Sequence, residues 1–344
     1  MIDEDRARHL AVDWYGLGTG TIVKRLTQGR VNLSFIVISP GGPYILQRLH
    51  PIFGRDGAVV YNAAAVSESL TAAGFPCSAV VPGQNGMLWA ESAGIWRLMT
   101  WLPGSITDRR DEKTIKAVAR FLGLFHQALR SFPPHLRPLP PADYNREGLA
   151  PPALWDQIIH RHRQDPKFPR AAEQIERCRE LVLKQSPIHP VTEAFLHGDP
   201  KLDNFLFDPQ GKVTALIDLD TVRHGWLLWE LADALRSWSA LRLPGNRVRL
   251  DVALFLTTVG SYRRHGLPLE DREWRSLPAA TRATALNLTR RYLMDYFEEA
   301  YFSWDREKFS SLADQNLARA QGMLQLAEDL ERAEQEIVSG IDSV

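Results

Sequence analysis

The sequence predicts an α+β fold made of two lobes, residues 1–101 and 102–344, from two observations. The first hundred residues contain short apolar or alternating stretches separated by glycines, a pattern typical of β-strands, around one helical stretch. After Pro103-Gly104, apolar residues recur at three- and four-residue steps, which is the period of helices. We therefore expect an antiparallel sheet with one helix in the first lobe, followed by a mainly helical second lobe.

Each predicted element follows from its local pattern. Six strands are expected in the first lobe, at residues 21–24, 34–38, 44–49, 78–82, 88–91 and 95–100. The helix at residues 62–73 stops at Gly74, a favourable helix end. Six longer helices are expected in the second lobe, at residues 112–130, 152–163, 170–185, 250–265, 278–302 and 312–338. The first of these would bury a face made of Ile115, Val118, Leu122, Phe125 and Leu129.

Composition limits the class of protein. Lys plus Arg and Asp plus Glu both number 41, so the chain has no bulk positive charge for binding nucleic acid. No stretch approaches the ~20 apolar residues that span a bilayer, and the polar start of the chain lacks an apolar secretory core. Cys77 and Cys178 have no metal-binding spacing and are expected to be reduced thiols. We expect a cytoplasmic protein without a nucleic-acid or membrane partner, as a monomer or weak dimer.

One stretch combines three side chains that phosphoryl transfer needs. Asp199 stands in a His-Gly-Asp sequence, Asn204 follows five residues later, and Asp218 ends an apolar run fourteen residues after that. A carboxylate such as Asp199 orients an attacking hydroxyl, whereas the oxygens of Asn204 and Asp218 can hold Mg²⁺ against a nucleotide triphosphate. Taken singly, each residue is more often structural, as part of a turn or strand end. The combination indicates an ATP- and Mg²⁺-dependent phosphotransferase.

The segment between Asn204 and Asp218 has the pattern of a β-hairpin. Two apolar stretches, residues 205–207 and 213–217, flank the turn at residues 208–211. A hairpin of this length returns to the end from which it started. We therefore expect Asn204 and Asp218 at the same end of the hairpin.

Two further segments are candidates for contacts with a nucleotide. Gly29 would let backbone N–H groups approach phosphate oxygens, although a lone glycine in a hairpin is usually an ordinary turn residue. Residues 96–104 could hold an adenine ring by stacking and backbone hydrogen bonds. A core strand followed by a linker, with Pro103-Gly104 as a hinge, fits the local sequence better. The absence of a Gly-x-x-x-x-Gly-Lys-Ser/Thr loop from the sequence argues against a P-loop enzyme.

These residues resemble a known family. The His-Gly-Asp199 motif, with Asn204, Asp218 and Asp233, is similar to that of the aminoglycoside phosphotransferase and choline kinase superfamily, which has a two-lobed protein-kinase-like fold. Within it, the N-acetylhexosamine 1-kinases are most similar, through residues 28–35, 44–48, 96–97, 215–221, 233–236, 291–296 and 301–302. The resemblance runs from about residue 20 to about residue 330.

The resemblance implies a role for each matching position. Asp199 would be the catalytic base, and Asn204 and Asp218 the Mg²⁺ ligands. The residues that it implies for ATP are Gly29, Asn32, Gln47, Thr100, Trp101 and Leu102. The residues that it implies for the acceptor are Arg30, Asp199, Arg291 and Tyr301.

Three positions depart from the family pattern. Arg30 stands where the hexosamine kinases carry His, and Glu230 where many superfamily members carry Asp. Gln47 occupies the strand position at which most kinase-like folds have a phosphate-binding Lys. The hexosamine kinases resemble this chain in having Gln at that position. Arg48 is adjacent but should face the opposite side of the strand, because side chains alternate along it.

The expected acceptor is a small molecule, and a sugar hydroxyl is favoured, above all the anomeric hydroxyl of an N-acetylhexosamine. Aminoglycosides, choline and homoserine are alternative acceptors. Polycationic aminoglycosides require an acidic site, whereas the stretch after Asp233 carries Arg236, Arg242, Arg247 and Arg249. An alternative from another functional class is a non-catalytic protein that binds nucleotide or sugar, which Gln47 in place of Lys suggests.

Overall fold

The computed structural model describes residues 2–26, 32–53, 56–133, 135–139, 148 and 150–344. The chain groups into two units, one built from residues 1–107, 125–143 and 203–224, and the other from residues 108–124, 144–202 and 225–344. The predicted lobes are continuous stretches, whereas residues 203–224 join the first unit, where the Leu216 N–H donates to the Pro76 carbonyl at 3.2 Å. The predicted boundary between residues 101 and 102 stays a prediction.

Within its described residues, the first unit contains an antiparallel sheet in the order β1-β2-β3-β6-β4, with β5 also paired to β6. Its strands are β1 (Ile22–Arg25), β2 (Leu33–Ser39), β3 (Gly42–Arg48), β4 (Val80–Val81), β5 (Ala90–Glu91) and β6 (Ile95–Thr100). All of them lie within or close to predicted strands. β4 is shorter than predicted. Beside it, the Ala79 carbonyl accepts from the Thr100 N–H at 2.8 Å, whereas the Ala79 N–H donates to the Thr100 hydroxyl at 2.9 Å and not to a backbone carbonyl.

The strand register decides which side chains form the core of the first unit. Phe35, Leu46 and Leu98 lie directly opposite one another on β2, β3 and β6, and all three are fully buried. Helix α1 (Ile2–His9) and the π-helical turn Leu10–Trp14 pack against this row. The sequence analysis predicts no element before residue 21. Helix α1 has only about two turns, which is too short for its apolar residues to show a helical period.

Helix α2 (Ala58–Ala72) packs against the sheet through Val59 and Val60. It begins four residues before the predicted start at residue 62. Its N-cap, Gly57, has φ +69°, and a Cβ there would lie 2.5 Å from the Trp89 ring, so the start of this helix requires glycine.

Helix α3 (Glu112–Ala128) spans both units, and its predicted apolar face is confirmed as buried. The second unit is mainly helical, as predicted. Its other helices are α4 (Pro152–His162), α5 (Phe168–Lys184), α6 (Leu227–Trp238), α7 (Val252–His265), α8 (Asp271–Glu298) and α9 (Leu312–Ile341). The strands outside the main sheet are β7 (Glu193–Leu196), β8 (Phe205–Phe207), β9 (Val213–Leu216), β10 (Arg223–Trp226), β11 (Ala240–Arg242) and β12 (Val248–Leu250). Helices α8 and α9 pack along each other, and α6 packs on α8.

Helix α8 differs from its predicted range, residues 278–302. A capping box between Glu270 and Glu273 starts the helix earlier, and Pro278 lies inside it. The prediction placed Pro278 at the first turn, where proline is common. The helix ends at Glu298, followed by Glu299 in the left-handed conformation.

None of the helices in the described part of the chain is long and apolar enough to cross a membrane. Cys77 and Cys178 are buried free thiols, as expected. Burial raises the pKa of the Cys77 thiol to about 11, so this side chain stays protonated at neutral pH.

Candidate active site

The turn that carries Asp199 follows strand β7 directly. His197 is fully buried, and its Nδ1 accepts a hydrogen bond from the Asp199 N–H at 3.3 Å. Gly198 has φ +81°, a backbone conformation that side chains other than glycine rarely adopt. The His-Gly-Asp sequence therefore has a local structural reason: the histidine fixes the turn from inside, and the glycine allows its reversal.

The Asp199 side chain is largely buried, with 12% of its surface exposed. Its Oδ2 lies 2.6 Å from Nζ of Lys201, and its backbone carbonyl accepts from the Lys201 N–H at 2.8 Å. A buried carboxylate is costly without a compensating charge, so Lys201 stabilises its ionised form. An ionised carboxylate at this position can accept a hydrogen bond from a hydroxyl and later its proton.

A second buried carboxylate, that of Glu230, binds the backbone of the turn that precedes Asp199. Glu230 on α6 accepts hydrogen bonds from the backbone N–H groups of His197 at 2.8 Å and Gly198 at 3.0 Å, and only 2% of it is exposed. The sequence prediction noted Glu230 only as a departure from the family pattern. The available signal was a charged residue inside the apolar run Leu227–Ala234, since such a residue is buried only when it has partners.

The predicted hairpin is confirmed. Strand β8 pairs with β9 in antiparallel fashion, with Phe205 opposite Leu216, and the Asn204 carbonyl accepts from the Ile217 N–H at 2.9 Å. Asn204, immediately before β8, and Asp218, soon after β9, thus stand at the same end of the hairpin. Asp218 adopts the left-handed conformation, with φ 67° and ψ 61°, which is uncommon outside glycine and marks a constrained position.

This pair fits a magnesium ion. Both residues offer oxygen donors, which a hard cation prefers, and one carboxylate with one amide leaves room for phosphate oxygens and water as further ligands. Among the described residues, no cluster of three or more His, Cys, Asp or Glu could hold a metal by itself. A site that depends on the nucleotide's own phosphates does not require such a cluster.

Gln47, predicted to contact the nucleotide, is half-buried and lies in a polar network with buried Arg97 and Asp220. Its Oε1 accepts from Nε of Arg97 at 3.1 Å and from Nη2 at 2.7 Å, and Arg97 forms an ion pair with Asp220 at 2.5 Å. Asn32, also predicted to contact the nucleotide, donates to Asp220 at 2.8 Å. Arg48 lies on the opposite side of the strand, as predicted, where it pairs with Asp3 at 2.8 Å.

The predicted adenine-binding segment follows β6. The Thr100 N–H donates to Ala79 at 2.8 Å, and its carbonyl accepts from the Ser78 hydroxyl at 2.8 Å, so the backbone of Thr100 is already engaged. The backbone groups of Trp101 and Leu102 form no hydrogen bond with another described residue, and the Trp101 side chain is exposed. Gly29 and Arg30 lie outside the described residues.

Two predicted acceptor residues come together in the second unit. The Arg291 guanidinium lies 5.5 Å from the ring centre of Tyr301 and 5.7 Å from that of Phe302. These aromatic residues follow α8 in a turn held by the Asp295 carboxylate, which accepts from the N–H groups of Ala300, Tyr301 and Phe302 at 2.7, 2.7 and 2.9 Å.

Comparison with known proteins then decides the family. Residues 22–266 match the phosphotransferase enzyme family. The chain belongs to this family. It is therefore a small-molecule kinase with an alcohol acceptor, within the aminoglycoside phosphotransferase and choline kinase superfamily that the His-Gly-Asp199 motif indicated. The alternative of a non-catalytic binding protein, suggested by Gln47, is wrong.

Relatives of this phosphotransferase differ in their acceptors. A homoserine kinase from Granulibacter bethesdensis is 26% identical over 240 residues, covering 69% of this chain and 70% of that protein. An aminopropanol kinase associated with a microcompartment has a similar fold, with a TM-score of 0.63, 16% identity and coverage of 96% and 98%. An amicoumacin kinase, solved with AMP-PNP and Ca²⁺, gives a TM-score of 0.62 at 16% identity, with coverage of 94% and 96%. These structures confirm the predicted fold.

The phosphotransferase fold distributes the predicted residues between its two units. Asn204 and Asp218 belong to the first unit, whereas Asp199, Arg291 and Tyr301 belong to the second. Their individual roles stay predictions. On α6, Nε of Arg236 donates to the Asp233 carboxylate at 2.8 Å, so these two residues brace each other.

Proposed function

We propose that this phosphotransferase uses ATP and Mg²⁺ to phosphorylate a hydroxyl of a small sugar, with the anomeric hydroxyl of an N-acetylhexosamine as the first candidate. The observation that carries the chemistry is the oxygen pair Asn204 and Asp218 at one end of the β8–β9 hairpin. The buried Asp199, paired with Lys201, supplies the separate carboxylate that the acceptor needs.

Each residue has a distinct task in this proposal. Asp199 accepts a hydrogen bond from the attacking hydroxyl, orients it, and takes its proton as the new bond forms. Asn204 and Asp218 hold Mg²⁺, which when bound offsets the charge on the transferred phosphoryl group. Trp101 and Leu102 offer an exposed aromatic ring and unengaged backbone groups to the adenine, while Gly29 and Asn32 remain candidates for phosphate contacts.

The grouping of Arg291 with Tyr301 and Phe302 supports a sugar acceptor. A sugar presents hydroxyl oxygens along its edge and an apolar patch of C–H groups on its ring face. A guanidinium donates to several oxygens at once, and an aromatic ring packs against the apolar face. Arg30, which is predicted to share this task, rests on the sequence alone.

Homoserine is the second candidate acceptor. The homoserine kinase of Granulibacter bethesdensis covers two thirds of this chain, at 26% identity. A guanidinium such as Arg291 binds a carboxylate as readily as it binds a sugar oxygen, since its planar donors match both carboxylate oxygens. Arg291 could therefore bind either the carboxylate of homoserine or the oxygens of a sugar.

A screen of ADP release at fixed ATP and Mg²⁺ distinguishes these acceptors. The panel contains N-acetylglucosamine, N-acetylgalactosamine, their non-acetylated and 1-deoxy forms, homoserine, choline, aminopropanol and an aminoglycoside. We expect the highest kcat/KM with an N-acetylhexosamine and no turnover with its 1-deoxy form. Preferred turnover of homoserine or an amino alcohol would refute the sugar assignment.

The same screen with Asp199→Asn tests the chemistry. Loss of the base should lower kcat by about 10²–10⁴ for every acceptor. Asp203→Asn is the matched control, because it removes a carboxylate from the same segment at a position without a proposed role. Retention of wild-type turnover by Asp199→Asn would show that another group orients the hydroxyl.

A further inference from the structure

Three polar side chains form a row across the sheet of the first unit. Ser34 on β2 lies opposite Gln47 on β3, and Gln47 lies opposite Arg97 on β6. Because side chains alternate along a strand, this row faces away from the apolar row that packs against α1. Arg97 is among the most buried side chains of the protein, with 2% of its surface exposed. A buried cation of this kind must be compensated by its neighbours.

Gln47 turns its oxygen, not its nitrogen, toward Arg97. The Gln47 Nε2 donates to the Ser34 hydroxyl at 3.1 Å, which directs Oε1 toward the guanidinium. There Oε1 accepts from two nitrogens of Arg97, at 3.1 and 2.7 Å. A lysine at position 47 would instead place a second positive charge against Arg97. The residue that departs from the usual kinase pattern is therefore complementary to a cation supplied by the neighbouring strand.

The charge of Arg97 is matched by Asp220. Nη2 of Arg97 lies 2.5 Å from Oδ1 of Asp220, and both side chains are at most 3% exposed. The other oxygen of Asp220 accepts from Asn32 at 2.8 Å. Asn32 is fixed in turn, because its Oδ1 accepts from the His50 N–H at 3.0 Å. Asp220 is thus anchored to the sheet on both of its oxygens.

Asp220 lies two residues after Asp218, in the 3-10 turn Leu219–Thr221. Helix α2 packs against this turn. Asp218 holds a left-handed backbone conformation, which persists only where the surroundings fix it. The contacts that fix Asp220 therefore also constrain the backbone that presents the Asp218 carboxylate.

We propose that Arg97 is a positioning residue, which holds Asp218 in metal-binding geometry through Asp220. This inference rests on the proposed metal role of Asp218. Arg97 lies on β6 and directs Nε and Nη2 to Gln47 and Asp220, and these contacts are the ones through which it would position Asp218. A contribution to folding stability does not by itself explain the Arg97–Asp220 pair, because buried ion pairs often add less to the free energy of unfolding than apolar residues of the same size.

The test measures how Mg²⁺ supports binding of AMP-PNP, by calorimetric titration at a series of Mg²⁺ concentrations. Arg97→Gln removes the charge, and we expect the half-saturating Mg²⁺ concentration to rise about tenfold, within the range for coupled contacts. Arg97→Lys keeps a positive charge opposite Asp220 but loses the paired contact with Gln47, so its half-saturating Mg²⁺ concentration should fall between those of Arg97→Gln and the wild type. Affinity for AMP-PNP without Mg²⁺ should change less than about twofold in both variants.

Arg48→Gln is the matched control. Arg48 neighbours Gln47 in the same sheet and also forms an ion pair, with Asp3 at 2.8 Å, but has no contact with the 219–221 turn among the described residues. The control should leave the Mg²⁺ dependence unchanged. If Arg97→Gln lowers the melting temperature but leaves the half-saturating Mg²⁺ concentration unchanged, Arg97 is merely structural and the inference fails.

A double variant keeps the test decisive if Arg97→Gln folds poorly. Arg97→Gln with Asp220→Asn removes both charges, so that no unpaired charge stays buried. If the two residues act as one unit, the double variant should shift the Mg²⁺ dependence no more than the larger single shift. If the fold-changes in half-saturating Mg²⁺ concentration of the two single variants multiply in the double variant, Arg97 and Asp220 act independently and the inference is overturned. Because this readout needs no acceptor, failure of the proposed sugar specificity would be seen separately, in the ADP-release screen.

Discussion

The Glu230 carboxylate accepts a hydrogen bond from the backbone N–H of Gly198 at 3.0 Å, one residue before Asp199. Its other oxygen accepts from the N–H of His197 at 2.8 Å. Both N–H groups therefore point toward the same carboxylate. The Glu230 carboxylate accepts from both donors at once, one with each oxygen, so this side chain is complementary to the turn before Asp199.

Glu230→Gln tests this match. A glutamine has one acceptor oxygen, so its amide nitrogen would face one backbone N–H and leave that buried donor unpaired. We expect a loss of about 1–3 kcal/mol in the free energy of unfolding, together with a lower kcat. Urea denaturation followed by circular dichroism measures the first. Glu193→Gln, at an exposed position of β7, is the control, and an equal effect of both changes would contradict the prediction.

The metal pair gives a second prediction. Asp218→Ala should weaken binding of AMP-PNP in the presence of Mg²⁺ by at least about tenfold, or about 1.4 kcal/mol. Asn204→Ala should weaken it less, since an amide offers a dipole and a carboxylate a full charge. Asp218→Asn separates charge from backbone strain, because Asn tolerates the left-handed conformation. Calorimetry with and without Mg²⁺ gives these values, and unchanged affinity in Asp218→Ala would rule out the metal role.

Arg291 is predicted to act on the acceptor and not on the nucleotide. Arg291→Lys replaces a planar set of donors with a single ammonium group, so it should lower the acceptor kcat/KM by about tenfold or more. The KM for ATP should stay within about twofold. Steady-state kinetics with either substrate varied separates the two effects. Arg275→Lys, an exposed position on the same helix that pairs with Asp342, should change neither value.

Glu273 provides a prediction for the pH dependence of stability. Burial alone would raise the pKa of its carboxyl, but hydrogen bonds from the Thr192 hydroxyl and the backbone N–H groups of Val191, Thr192 and Glu270 hold the pKa below its ordinary value. The ionised form therefore favours the folded state. Its contribution is complete above the unfolded pKa of about 4.3 and is lost as the pH falls through the lower folded pKa.

Glu273→Gln should consequently destabilise the protein at pH 7, and the difference from the wild type should narrow as the pH falls toward 3 and below. Urea unfolding at a series of pH values measures this difference. Glu336→Gln, at an exposed position of α9, is the control. A difference that stays constant from pH 7 to pH 3 would show that the carboxyl titrates alike in the folded and unfolded states.

Much of this arrangement follows from local sequence patterns. The β8–β9 hairpin was predictable because the turn at residues 208–211 separates two apolar stretches, and the buried face of α3 because its apolar residues keep a helical period. Short elements such as α1 were not predictable, since a few residues carry no clear period. The start of α8 was misplaced because Pro278 is tolerated inside a helix that a capping box begins earlier.

The features that the sequence did not predict depend on contacts between residues that are far apart in the chain. Glu230 is 33 residues from His197, and Arg97 is 50 residues from Gln47, so no local pattern pairs them. The sequence identified Glu230 and Gln47 as departures from a family pattern, but only the fold explains them. Each departure is complementary to a partner supplied by another element, which a single sequence does not specify.

The assignment of residues to units has a consequence for how acceptor choice evolves. The predicted nucleotide residues up to Leu102 and the metal pair belong to one unit, whereas Arg291 and Tyr301 belong to the other. Substitutions around α8 are therefore expected to change the acceptor while leaving the residues predicted for ATP in place. Such a division of predicted roles would let one phosphate donor serve different acceptors, and the proteins similar to this chain include kinases of homoserine, aminopropanol and amicoumacin.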